Sequence, residues 1–264
     1  TEDEIGNLEA TPGIQRALEL LAVEDQTRAR REWSFTVRQF SERELQIAAR
    51  VAARWGWYRQ SIQSMIQADA WNDLAMRFPL AYHDSFVSNA RVWDIPLHWG
   101  FAIARQESAF MPDARSASGA LGIMQLMPET ARSTASQYGV SLSSNADLID
   151  PALNIRIGSA YLGRLLRRYH NNRILASAAY NAGPTRVDRW VNPSLPLDVW
   201  IEAIPFKETR NYVQNVLMFS TIYARLLDQS QPLIYAHEQK DFLDREVTLV
   251  PAVPIITPVR PKNS

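Results

Sequence analysis

Glu107 closes an apolar run in which Trp99, Ile103 and Phe110 are spaced to share its side. A lone glutamate is normally a surface carboxylate, because an unpaired one is almost never fully buried. The setting of Glu107 argues otherwise. Apolar surroundings disfavour the ionised form and raise a carboxyl pKa. The partial negative charge at a helix C-terminus pushes in the same direction. A carboxylic acid still protonated near neutral pH can serve as a general acid.

Three further clusters follow in order. Gly119–Pro128 holds two glycines three apart, the amide Gln125 inside an apolar run, and Met127. The glycines allow close approach of the chain to another surface. The amide needs a partner if buried, and the flexible thioether of Met127 suits the face of a sugar ring or an acetyl group. Ala179–Gly183 contributes the phenol of Tyr180 and the amide of Asn181. Ile204–Val213 places Glu208 and Tyr212 four apart, on one helix face. Taken singly, each cluster fits plain structure: a turn before core methionines, a glycine-capped helix end, an exposed Glu–Arg pair beside a packed tyrosine.

The elements that must carry these residues read as helices. In residues 1–77, Pro12 opens the first of them, with Ile14, Leu18 and Leu21 at helical spacing. Ser41 and Glu44 form a capping box for the next clear one, which Gly56 ends. Another follows over about Trp57–Ala68. Pairs of this length with brief turns suggest a superhelical or solenoid piece, although no repeated motif stands out. Arg77–Tyr82 is a junction. Beyond it the spacing predicts helices over Pro96–Glu107, from Pro128, over Leu153–His170, Leu175–Asn181 and Lys207–Leu227, with loops around Pro112–Gly122. The expected division is a helical linker region 1–76, a catalytic region 77–245 and a proline-rich tail 246–264. The expected class is all-α.

Composition narrows the function. The 264 residues are 46% hydrophobic and 21% charged, as in folded globular proteins. Cysteine is absent, which excludes thiol catalysis and cysteine-ligated zinc. The 28 basic and 28 acidic residues cancel, so net charge predicts no nucleic-acid surface. Eight tryptophans and nine tyrosines supply flat amphipathic surface, mostly for packing. The arginines around Arg28–Arg31 read as a solvated helix face, with acidic peptides as the sharper alternative. The chain opens at Thr1 without a charged-then-apolar leader, so the expectation is a removed signal peptide or a fragment.

In joint order and spacing the four clusters are distinctive. Glu107-Ser108, Gly122-Ile123-Met124-Gln125, Ala179–Gly183 and Glu208-Thr209-Arg210-Asn211-Tyr212-Val213 resemble the catalytic domain of the soluble lytic murein transglycosylases over residues 77–228. Ile123 departs from the commoner leucine. The resemblance implies a goose-type lysozyme-like fold preceded by a linker domain, a further amino-terminal superhelical domain in a full-length protein, and a periplasmic location. It implies cleavage of the bond between N-acetylmuramic acid and N-acetylglucosamine in peptidoglycan glycan strands, without water, cofactor or metal. Glu107 would first protonate the glycosidic oxygen and then take the proton of the C6 hydroxyl, leaving a 1,6-anhydro ring. Ser116, Gln125, Met127, Tyr180, Asn181 and Glu208 match substrate-binding positions. Ser108 would fix the loop after the acid, and Tyr212 would support the groove wall.

Two alternatives stand beside this reading. A hydrolytic muramidase on the same fold could use Asp113, Asp147 or Asp150 to hold a water. A non-catalytic peptidoglycan-binding module would keep the aromatic groove without needing a protonated Glu107.

Overall fold

A computed structural model describes residues 1–243; the expected tail 246–264 lies outside the described residues. These are helical, with only two isolated bridges, Arg115 to Leu121 and Leu121 to Leu126. The N-terminal region contains α1 (Glu2–Glu9), α2 (Pro12–Ala22), α3 (Gln26–Val37), α4 (Glu42–Arg54), α5 (Tyr58–Gln67) and the short α6 (Leu74–Arg77). Pro12 thus opens the second helix, not the first. A capping box between Thr1 and Glu4 satisfies the free amides of α1 and starts a helix at the very beginning of the sequence. The Ser41–Glu44 box opens α4 as expected, and Trp55 and the left-handed Gly56 (φ 72°) follow its last turn.

This region builds its own core. Ile14, Ala29, Trp33, Ala48, Val51 and Trp57 are buried together. Trp33, Trp55 and Trp57 meet edge to face, with ring centroids 5.5–5.9 Å apart. The offset geometry adds about 0.5–1.5 kcal/mol per pair beyond area burial.

The second region follows the Arg77–Tyr82 junction. It runs through α7 (His83–Trp93), α8 (Leu97–Glu107), α9 (Pro128–Gln137), a 3₁₀ turn (Asn145–Ile149), α10 (Pro151–Arg168), α11 (Arg173–Ala182), α12 (Pro184–Trp190), α13 (Leu197–Ala203), α14 (Lys207–Leu226) and α15 (Ala236–Leu243). Pro96 caps α8 rather than lying within its first turn. Helix α8 is buried on every side from His98 to Ala104, a stretch that is apolar apart from His98. A helix without a polar face belongs in a core. Helix α14 packs along it, and α11 along α14. A smaller cluster of Leu121, Leu126, Ala131, Leu148 and Ile157 supports the long loop between α8 and α9.

The two regions are joined by charge as well as by chain. Arg30 of α3 holds Asp113 with two hydrogen bonds, of 2.8 and 2.5 Å. The Arg28–Arg31 face is therefore solvated only in part.

Candidate active site

Glu107 is the last residue of α8, and the chain turns sharply behind it. Ala109 (φ 52°) and Phe110 (φ 64°) are both left-handed, a conformation that costs non-glycine residues free energy and persists only when neighbours enforce it. Ser108 is one such neighbour. Its buried hydroxyl donates to the Ile123 carbonyl at 2.7 Å and accepts from the Met111 amide at 3.1 Å. The serine ties the turn after Glu107 to the Gly119–Pro128 loop.

That loop is held from below by a residue the sequence reading passed over. Asn154, fully buried in α10, accepts from the Met124 amide and donates to the carbonyls of Leu121 and Leu148, all within 3.0 Å. Gly122 lies against it at φ 78°, where a Cβ would collide with the Asn154 side chain and the Leu148 carbonyl. The signal was present in the sequence, as a polar residue inside the apolar face of a long helix.

A cleft of about 370 Å³ opens over Glu107. Of the residues singled out in sequence, Ser116, Gln125, Asn181, Glu208 and Tyr212 line it, together with Gln106 and Asn211, which were not foreseen. Gln125 is left-handed (φ 46°) and donates both amide hydrogens, to the carbonyls of Ala114 and Gly122. Its oxygen is thereby left as an acceptor. Asn181 is the converse: its oxygen accepts from the Thr209 hydroxyl at 2.7 Å, leaving its nitrogen as a donor. The Ser116 hydroxyl accepts from the Ala120 amide at 2.9 Å and pairs with Ser118.

Besides Ser108, two of the named residues stand outside this lining. Met127 caps α9 and is 43% exposed. Tyr180 packs on Tyr161 and donates to the Met124 carbonyl at 2.8 Å, bracing the loop from beneath. Burial, reinforced by the nearby Glu107 carboxylate, holds its phenol well above the ordinary value.

The electrostatics centre on Glu107. Burial pushes its carboxyl up to about 8; Tyr212, donating at 2.6 Å, pulls it down, and the charge of Glu208 pushes it up again. Glu208 itself is exposed at the start of α14. Tyr212 is therefore more than groove wall, being the direct partner of the acid. The three spare aspartates are engaged elsewhere. Asp113 pairs with Arg30, Asp147 accepts from the Ser143 and Ser144 amides, and Asp150 caps α10 through the Leu153 amide. Among the described residues no cluster of His, Asp or Glu could hold a metal ion.

The family model described as the transglycosylase SLT domain matches residues 85–196, and that of the soluble lytic murein transglycosylase L domain matches residues 7–74. The soluble lytic transglycosylase helical domain matches residues 203–232. The soluble lytic murein transglycosylase of Escherichia coli K12 is 40% identical over 231 residues, 86% of this chain and 36% of the relative. The chain belongs to the soluble lytic murein transglycosylase family. It spans about a third of the length of the curated relatives it matches. Among solved family members, an inactive mutant of the lytic transglycosylase Slt from Pseudomonas aeruginosa superposes with a TM-score of 0.83 at 45% identity, covering 90% of this chain and 39% of that one. The 70-kDa soluble lytic transglycosylase of Escherichia coli, also solved in complex with bulgecin A, gives 0.83 at 39% identity, covering 88% of this chain and 38% of that one.

Proposed function

We propose that this chain cleaves the β-1,4 bond between N-acetylmuramic acid and N-acetylglucosamine in peptidoglycan, without water, with Glu107 as acid and then base. One observation carries the reading. The cleft holds a carboxyl pushed up to about 8, hydrogen-bonded to a tyrosine that stabilises its ionised form. Such a group is protonated at neutral pH, yet can release its proton once and take one back.

The steps balance without an added reactant. Glu107 gives its proton to the glycosidic oxygen, and the bond from that oxygen to the muramoyl C1 breaks. The muramoyl acetamido oxygen bonds to C1 in its place, so no protein nucleophile is needed. Ordinary glycosidases use a second carboxylate here, and substrate-assisted families do not. The Glu107 carboxylate, held by Tyr212, then takes the proton of the C6 hydroxyl. O6 attacks C1, displaces the acetamido oxygen and closes the 1,6-anhydro ring. Glu107 ends protonated, as it began.

The supporting residues fit an acetamido group. An acetamide presents one acceptor and one donor, and the cleft offers the Asn181 nitrogen and the Gln125 oxygen. Glu208 supplies negative charge beside the positive charge that develops at C1. Ser116 adds a hydroxyl at the rim. Met127 would contact sugar farther along the strand, and Tyr180 and Ser108 would position the loop. A substrate of this kind places the full-length protein in the periplasm. Bulgecin A, the ligand in the Escherichia coli complex, is inferred to bind this chain as well.

Glu208 gives the hydrolytic alternative its one foothold, as a second carboxylate in the cleft. Digestion of purified sacculi separates the two. Anhydro ends lack one water relative to hydrolysed ends, and mass spectrometry of the products reads that difference directly. Hydrolysed ends alone would reject the proposal, and absence of turnover would favour a binding module.

A further inference from the structure

The first turns of α14 serve three places at once. Glu208 lines the cleft, and Tyr212, one turn on, donates to Glu107. Thr209, between them, is 2% exposed and donates its hydroxyl hydrogen to the Asn181 side-chain oxygen at 2.7 Å, across the contact of α14 with α11. Among the described residues, that hydroxyl is the only hydrogen-bond partner of the Asn181 side chain.

An asparagine amide has nearly the same shape either way round, and a half turn of its last torsion exchanges donor for acceptor. Something outside the residue must therefore choose which end faces the cleft. Thr209 is placed to make that choice. A threonine inside a helix commonly donates to the carbonyl four residues before it. Thr36 and Thr221 do so here, to Glu32 and Leu217. For Thr209 the residue four back is Pro205, outside α14, and its hydroxyl bonds to Asn181 instead. A buried hydroxyl needs an acceptor for its hydrogen. The Asn181 oxygen supplies one. The flipped amide would present N–H to the hydroxyl and leave that hydrogen with none.

We propose that Thr209 is a positioning residue, which fixes the Asn181 nitrogen toward the cleft and so makes this wall of the site select a carbonyl oxygen, that of an N-acetyl group, over a donor. The choice of an acetamido sugar rests on the function proposed above. A carbonyl oxygen has two lone pairs. One of them, held by Asn181, orients the acetamido group, and the other stays available to C1. A de-N-acetylated sugar brings an amine donor to the same place, where two donors then meet.

The test pairs Thr209→Val, which keeps the shape and removes the donor, with Thr209→Ser, which keeps the donor. On purified sacculi, Thr209→Val should lower kcat/KM about tenfold, the effect of one lost hydrogen bond, and Thr209→Ser should restore most of that loss. The alkaline limb of the pH profile should stay where it is in the parent, because Tyr212 still holds Glu107. In the Asn181→Ala background, Thr209→Val should cost nothing more. A second arm titrates the ¹⁵N-labelled Glu107→Gln chain, followed at the Asn181 side-chain signals by NMR, with tri-N-acetylchitotriose and with its de-N-acetylated counterpart. Adding Thr209→Val should narrow the preference for the acetylated trimer about tenfold, because the amide is then free to turn.

A Thr209→Val chain with the parent's kcat/KM and sugar preference overturns the proposal and leaves the proposed function standing. So does a Thr209→Ser chain as poor as Thr209→Val, since packing and not the donor would then matter. A shifted alkaline limb, or an equal further loss in the Asn181→Ala background, overturns it as well. If the parent releases no anhydro ends, the proposed function fails and the titration decides alone. A preference narrowed by Thr209→Val then supports the positioning role, and an unmoved one overturns it.

Discussion

Tyr212 donates its phenolic hydrogen to Glu107 across 2.6 Å, joining the first turns of α14 to the last residue of α8. The bond stabilises the carboxylate and so opposes the upward push of burial on Glu107. Removing it in Tyr212→Phe must move the Glu107 pKa above about 8. The alkaline limb of the kcat/KM profile, where the acid loses its proton, should shift to higher pH. The turnover number should fall about ten- to a hundredfold, the size of a hydrogen bond to a charged group. An alkaline limb that stays in place would remove Tyr212 from control of the acid.

Glu107 also costs stability, in a definite pH window. Its folded pKa, about 8, lies above the ordinary value of 4.5. The unfolded chain therefore releases the proton first as pH rises. Stability from this group is complete below about pH 4.5, declines above it, and is lost by about pH 8. At pH 7 the loss amounts to roughly 3 kcal/mol. Glu107→Gln carries no such charge, so its gain in Tm over the parent should grow from pH 5 to pH 8. Its glycan cleavage should fall at least about a hundredfold, the low end for losing a general acid. Thermal melts across that range, with product assays alongside, check both. A Tm difference that is flat with pH would mean that Glu107 is not a desolvated acid.

The helices and the acid were legible in sequence because both are local. Periodicity sets the apolar faces of α8, α10 and α14, and Glu107 stands at a helix end among large apolar neighbours. Capping signals were legible at Ser41, and the same Ser/Thr-to-Glu spacing at Thr1 and Glu4 opens α1. The partner of Glu107 was not legible. Glu107 and Tyr212 are 105 residues apart, and only the packing of α14 on α8 brings them together. The donor and acceptor left over on Asn181 and Gln125 escaped for the same reason, since each depends on what the other end of the amide binds. The Arg30–Asp113 pair, 83 residues apart, is likewise long in range and crosses between regions.

Asn154 tests whether the loop beneath the cleft is held by hydrogen bonds or by apolar packing alone. Asn154→Ala strands the Met124 amide and two carbonyls in a dry interior. Each unsatisfied group costs about 1–3 kcal/mol, with partial relief where water enters the space vacated. The expected loss is about 3 kcal/mol of unfolding free energy in urea, together with a fall in turnover, because Gln125 rides on that loop. Gly122→Ala should act through the same place, since a Cβ there has no room. Stability close to that of the parent in Asn154→Ala would show the loop to be held by Leu121, Leu126 and their neighbours.

The last helix of the described chain is fastened by a buried charge pair rather than by a broad apolar face. Arg173, at the start of α11, and Glu238, in α15, are 2% and 0% exposed and meet at 2.8 Å. Glu238 also accepts from the backbone amides of Arg173 and Tyr235, and the Arg173 guanidinium lies 3.6 Å from the centre of the Tyr235 ring. Every lone pair of the carboxylate is thereby used, which is the condition for a buried pair to be tolerated. Glu238→Gln leaves the guanidinium buried without its counter-charge and should cost about 3–5 kcal/mol. The double variant Arg173→Met/Glu238→Leu removes both charges and should recover most of that loss, as isosteric apolar replacement does elsewhere. Denaturant unfolding of Arg173→Met, Glu238→Leu and the double variant gives the coupling energy. Strictly additive losses would mean that the two residues stabilise the fold independently, and that α15 is held by Phe242 against Trp200 instead.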